Sequence, residues 1–244
     1  MKRGIIATGG ALLVSLASVS ALVAPAVAQD DSSAPQALPN PDASSAAAYP
    51  KPSPFPISWE LQFQHSAPKR IVVTLPGNPT PSAFWYMTYS VVNNADKQGN
   101  YDPDRDKERI FYPVFIMREN DGKMVPANDG IHPAVFDAIK AVEKNTYMED
   151  PTRMGGRILL GVDQERDSVA IWPEYNQRMG SFVIFASGMW GETAPATDSS
   201  GAPLKDAKGN EVDLHKTLMM SYHVDGDQTH FSPVRKVSEE FIMR

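Results

Sequence analysis

From about Trp59 onward the chain is a succession of short apolar runs broken by turn residues. Residues 69–75 (KRIVVTL) read as a strand. Residues 83–92 (AFWYMTYSVV) read as a longer one, rich in aromatic and β-branched side chains. Its alternation puts Trp85, Met87, Tyr89 and Val91 on one face, and Phe84, Tyr86, Thr88, Ser90 and Val92 on the other. The Trp85 face is expected in the core and the Tyr86 face partly exposed. Asn93-Asn94 ends the run. Residues 110–118 (IFYPVFIMR) read as the next strand, and Pro113, lacking a donor, places it at an edge or a bulge. Asn120-Asp121-Gly122-Lys123 then signals a hairpin.

One segment changes period. Val135, Ala138, Ile139 and Val142 recur at helical spacing behind Pro133, which predicts a single helix over about 133–145 that plugs one side or end of a sheet. Strands resume at 157–162, 168–172 and 181–187. A polar insert at about 192–213, with the turn clusters 198–201 and 208–210, reads as an exposed hairpin or loop. The last clear strand is 217–224, where Leu218, Met220, Tyr222 and Val224 share a face. About seven strands with regular turns and one helix form the rhythm of a mostly antiparallel β-sandwich.

The N-terminus changes the picture of where this domain works. Lys2 and Arg3, an apolar run at 11–23, and Ala26-Val27-Ala28 have the order of a cleavable signal peptide over residues 1–28. The apolar run is shorter than the ~20 residues of a membrane span, and no second long apolar segment follows. Residues 29–56 contain seven prolines among Ser, Ala and Asp, and are expected to be an extended, mobile linker to a domain at 57–244. Without the two basic residues of the signal, 21 basic face 29 acidic residues, and the formal charge moves from −6 to −8. That balance opposes general nucleic-acid binding and docking on anionic lipid. The absence of cysteine excludes thiolate zinc sites, iron–sulfur clusters and cysteine nucleophiles, and leaves the fold to rest on its core.

The stretch from Trp85 through Asn94, then Phe115-Ile116-Met117-Arg118 and Asp121-Gly122-Lys123, resembles telokin-like, immunoglobulin-like domains of exported bacterial envelope proteins. The stretch 167–174 (DSVAIWPE) and the run from Phe182 to Gly188 look like later strands of that architecture. The helix and the polar insert depart from its minimal form. The resemblance implies adhesion, scaffolding or ligand presentation more often than catalysis.

Candidate chemistry is sparse. Asp102, Asp104 and Asp106, with Glu108, offer alternating carboxylates to a calcium ion. Lys107 stands where an EF-hand needs glycine, and Pro113 where it needs glutamate, so a charged connection is the competing reading. The five histidines are scattered; His223, Asp225, Asp227 and His230 are near in sequence at a turn and could hold a metal, although solvated turn residues fit as well. No G-x-S-x-G, H-E-x-x-H, P-loop or G-x-G-x-x-G occurs, and Ser66-Ala-Pro-Lys69 carries Pro68 against the helix that such a serine and lysine require. Trp59, Trp85, Trp172, Trp190, Tyr86, Tyr89 and Tyr175 are the candidates for a sugar-stacking platform. Among them Trp190, between Gly188 and Gly191, and Tyr86 are the rings expected to be open for binding. These features lead to the expectation of a non-catalytic binding or structural module of the periplasm or cell surface, with no cofactor other than a possible calcium ion. Its partner would be an envelope protein or a glycan. The alternatives are an exported hydrolase with dispersed acidic residues and a carbohydrate-binding module.

Overall fold

A computed structural model describes residues 50–97, 101–102, 104–175, 180–225 and 234–244. The signal peptide at 1–28, the linker up to residue 49, and Asp227 and His230 lie outside these residues.

The described chain is mostly β, with antiparallel sheets and one α-helix. The first sheet is organised by β3 (Ser82–Val92). β1 (Gln62–His65) and β2 (Lys69–Val73) lie end to end along one side of it, opposite residues 89–92 and 82–86. β8 (Arg166–Pro173) pairs along its other side. The second sheet has the order β6 (Met124–Pro126), β5 (Val114–Glu119), β9 (Ser181–Ser187), β11 (Asp213–Val224), β12 (Val234–Met243). β10 (Thr193–Pro195) extends the β9 position along the start of β11. β4 (Glu108–Phe111) and β7 (Gly156–Leu159) form a separate two-stranded ribbon.

The two sheets pack face to face. Trp85, Met87, Tyr89, Val91, Ala170 and Trp172 of the first meet Phe115, Met117, Phe182, Ile184, Met220 and Tyr222 of the second in one cluster. The inward residues of each strand are two apart, as a pleated strand requires. The other face of the first sheet is covered as well. The helix α1 (Pro133–Glu143) lays Val135 and Ile139 on Phe84, Tyr86, Val169 and Ile171. A strand buried on both faces has no need to alternate polar and apolar residues. That is why β3 reads as an almost continuous apolar run.

Local chemistry sets the ends of these elements. The side chain of His132 accepts the Ala134 amide and caps α1, ahead of Pro133 in the first turn, and Lys144 closes the helix at φ 54°. Gly122, at φ +86°, makes the β5–β6 hairpin expected from the sequence. The expected strand 110–118 is instead two strands. It breaks at Tyr112-Pro113, and β4 and β5 join different sheets. Proline cannot donate to a ladder, so the chain changes partners there. Part of the polar insert is a strand, β10, and Ala196 and Leu214 form a small cluster with Met243 at its base. Residues 50–61 include chain that docks: the Ser53 amide donates to Glu192 Oε1 at 2.6 Å, and the Leu61 amide to the Met189 carbonyl at 3.0 Å.

Candidate functional site

The aromatic residues expected at the surface are inside. Tyr86 is 2% exposed, because α1 covers the face of β3 that carries it. Its hydroxyl donates to Glu143 Oε1 at 2.7 Å, and Lys69 Nζ approaches both oxygens of that carboxylate at 2.8 and 2.9 Å. Burial resists ionisation of Glu143, yet Lys69 and Tyr86 together hold it below its ordinary value. Burial first, then Glu143, raises the pKa of the Tyr86 hydroxyl. The cluster ties the end of α1 to the sheet. Tyr86→Phe should cost about 1 kcal/mol in a denaturant titration, the net worth of one hydrogen bond to a charged group beside a competing lysine; an unchanged midpoint would mean Lys69 alone holds the helix.

Trp190 is 6% exposed, edge-on to Phe63 and to Phe241 at 5.9 and 5.0 Å. Its neighbouring glycines do not open a loop. A side chain at Gly188 would strike the Tyr112 carbonyl, and one at Gly191 would strike the Trp59 indole. The expectation that Trp190 and Tyr86 present open rings is therefore corrected. Trp85 and Trp172 are in the core, and of the seven rings considered only Tyr175 is exposed. No stacking platform forms from them.

The acidic loop is also engaged internally. Asp102 Oδ1 accepts the Asp104 amide at 3.0 Å, and Asp106 Oδ2 accepts the Asp102 amide at 2.8 Å. Asp106 is buried and carries Arg105 and Arg109 on its carboxylate. Among the described residues no group of three or more His, Asp or Glu side chains is arranged to hold a metal ion. Of the three aspartates proposed for calcium, Asp102 instead caps the Asp104 and Arg105 amides, and Asp106 accepts the Asp102 amide and pairs with Arg105 and Arg109. The Arg105 hydrogen bond, opposed by burial, holds Asp106 below the ordinary carboxylate value of 3.8. A depressed carboxylate stabilises the fold above its unfolded pKa, and that contribution is lost as pH falls through the folded one. Asp106→Asn should cost about 1–2 kcal/mol at pH 7, given the solvent that screens Arg105. The gap between variant and wild type should narrow below pH 4 in an acid-unfolding series.

Two other arrangements bear on catalysis. Ser181 Oγ lies 2.8 Å from His223 Nδ1, and His223 Nε2 lies 3.2 Å from Asp225 Oδ1. The connectivity is that of a nucleophile, base and orienting acid. It is spread on the outer side of the second sheet, where the side chains of His223 and Asp225 are 37% and 61% exposed, so water screens both contacts. At one end of the sandwich Glu119 is buried and its pKa is raised, first by burial and then by Asp121. Glu174, whose charge also acts on Glu119, is occupied by Arg70 through two 2.7 Å bonds. A cavity there, lined by Lys123, Val125, Pro126, Asp129, Pro173 and Tyr175, measures about 130 Å³. That is below the ~300 Å³ at which small-molecule sites begin.

A further arrangement lies on the outer face of the second sheet. Ile116, Phe185 and Met219 are opposite one another across β5, β9 and β11, and Val183 is next to Arg118 and Ser221. All lie at positions alternate to the core residues. Phe185 is nevertheless only 2% exposed. The guanidinium of Arg244 covers its ring at 4.1 Å, and that of Arg118 is 5.5 Å from the same centroid. Burial, then Arg118, lowers the pKa of Arg244. Neither Phe185 nor Arg244 was a candidate on sequence grounds. The period-2 place of Arg118 and Phe185 on the outward face is the one signal that could have pointed to them. Comparison with protein-family models, with curated proteins and with solved structures gave no match.

Proposed function

We propose that this chain is an exported, non-catalytic binding or structural module of the periplasm or cell surface, built on an immunoglobulin-like sandwich. The observation that carries this reading is the unequal treatment of the two sheets. The first is packed on one face by the second sheet and on the other by α1. Among the described residues, the second has no helix packed on its outer face, where Ile116, Val183 and Met219 neighbour one another and Phe185 lies under Arg118 and Arg244. A partner at that face would complete the layering that α1 completes on the other side. The candidate carboxylates support the same reading. Glu143, Glu149 and Glu174 are each held by a basic side chain from another part of the fold, and Asp106 by Arg105 and Arg109 beside it in sequence. The partner is an envelope component, and a protein fits better than a glycan because Trp85, Trp172, Trp190, Tyr86 and Tyr89, the rings a stacking platform would need, are buried.

The test is site-specific photo-crosslinking in the source cell, with the reactive group at Met219 on this face or at the exposed Val142 on α1. One component captured from position 219, absent from position 142, and rebound by the purified chain would support the reading. No capture from either position, or equal capture from both, would sink it.

A further inference from the structure

We infer that β12 is a docking edge for a second copy of this chain, and that two copies pair antiparallel through it into one continuous sheet. The inference goes beyond the binding reading and does not rest on it, since the strand edge and the outer face are different surfaces.

β12 ends the second sheet on one side. Its 10 residues pair with β11, and among the described residues no strand pairs with its other side. Alternate residues of a strand turn their amide and carbonyl away from the neighbouring strand, so a row of donors and acceptors faces outward along β12. The side chains leave it accessible. Those of Arg235 and Lys236 are 62% and 53% exposed, and Val237 and Phe241 are exposed too.

Charge commonly guards such an edge, because a run of one sign repels an incoming copy. On β12 the signs are ordered. Arg235 and Lys236 precede the Val237-Ser238 midpoint, and Glu239 and Glu240 follow it. When two copies run antiparallel about that midpoint, Arg235 of each is opposite Glu240 of the other, and Lys236 is opposite Glu239. Val234 then meets Phe241. Opposite charges directly across a pair of strands attract, and like charges repel.

A twofold axis normal to the sheet keeps every side chain on its own face, so residues that pair across it must share a face. In a regular strand Arg235 and Glu240, an odd number of positions apart, would point to opposite faces. The bulge in β12 removes that conflict. Ser238 is opposite Ser221 and Lys236 is opposite Tyr222, which leaves Val237 as the extra residue. Arg235 is therefore opposite His223, and Glu240 opposite Met219, both on the outer face. Lys236, Glu239, Val234 and Phe241 are opposite Tyr222, Met220, Val224 and Leu218, all on the core side. Each pair in the dimer is thus matched in face as well as in charge or apolarity. Within one copy Lys236 Nζ donates to Glu239 Oε2 at 2.7 Å, and His65 Nε2 is 3.3 Å from the same oxygen. The second copy adds its own lysine and glutamate to that cluster. The same axis sets the two outer faces side by side, so the dimer offers the binding face twice.

A single strand edge buries less than a standard stable interface, so the dimer forms reversibly and depends on concentration. Sedimentation velocity of the exported full chain over a concentration series tests it. The expected result is a monomer–dimer equilibrium weakened about tenfold by Arg235→Glu and by Glu240→Arg, each of which sets like charges opposite one another. An equimolar mixture of the two variants restores it, because the two substitutions then face each other across the axis. Lys208→Glu, in the polar insert, leaves it unchanged. Hydrogen exchange on the unsubstituted chain needs no variant: β12 amides slow as the dimer forms and quicken on dilution, while those of β2 stay the same. A chain that remains monomeric, or a dimer with unaltered β12 exchange, overturns the inference. So does a dimer that neither variant weakens, or a mixture of folded variants that does not recover. The crosslinking result from position 219, and with it the binding reading, stands or falls separately.

Discussion

Lys216→Met is expected to lower stability by about 3–5 kcal/mol, the usual penalty for removing one partner of a buried ion pair. Lys216 Nζ is 2.6 Å from Glu60 Oε1 and 3.4 Å from Glu192 Oε2, and its side chain is 6% exposed. Glu192 is equally enclosed, and its Oε2 has no hydrogen-bond partner. Removing the ammonium leaves buried negative charge without its counter-ion, in surroundings where Phe241 is 4.8 Å from the lost cation. The methylene stem would be replaced almost atom for atom, so packing changes little and the loss is electrostatic. Urea titration measures it. Adding Glu192→Gln to the variant should return part of the loss, because a neutral amide needs no counter-charge. The same cluster holds the docked N-terminal segment, since Glu192 Oε1 accepts the Ser53 amide. Hydrogen exchange at Ser53 and Leu61 should therefore accelerate before the sandwich opens. A loss below about 1 kcal/mol would show that water reaches the cluster and screens it as it does a surface pair.

Gly188→Ala should cost about 2–4 kcal/mol, from positive φ and steric overlap together. Gly188 has φ +82°, and a β-carbon there would overlap the Tyr112 carbonyl, with Pro113 Cα at 3.5 Å. The obstacle is backbone, so no rotamer change relieves it. Gly201 has nearly the same φ, +85°, with nothing within 4 Å of a built β-carbon. Gly201→Ala should therefore cost only about 1 kcal/mol, the conformational part alone. The difference between the two variants, read from thermal or urea unfolding, isolates the overlap. Equal losses would mean that the Tyr112-Pro113 junction gives way without cost.

Much of the strand pattern is legible without coordinates because it is local. The 181–187 strand, the Gly122 hairpin and the helix opening at Pro133 each follow from period or turn chemistry within a dozen residues. β1 and β12 escape that reading. β12 carries Arg235, Lys236, Glu239 and Glu240, and most of it faces water. Its strand form depends on pairing with β11, which local pattern does not register. The break at Pro113 is half legible: proline forbids an ordinary central strand, but only the fold shows that the chain crosses to another sheet there.

The candidate sites divide along the same line. The residue types at Asp102, Asp104 and Asp106 are compatible with an ion, and nothing within the loop says that Arg105 and Arg109 take Asp106 first. Tyr86 alternates onto a face that a strand alone leaves open, and a helix about fifty residues later covers it. Phe185 and Arg244 are 59 positions apart and meet because β9, β11 and the line of β12 lie side by side. Period, turn residues and composition thus determine the β-rich, cysteine-free character of the chain and the placement of most strands. Tertiary structure alone decides which faces are covered and which charges find partners, because burial and ion pairing depend on contacts between segments that are far apart in sequence.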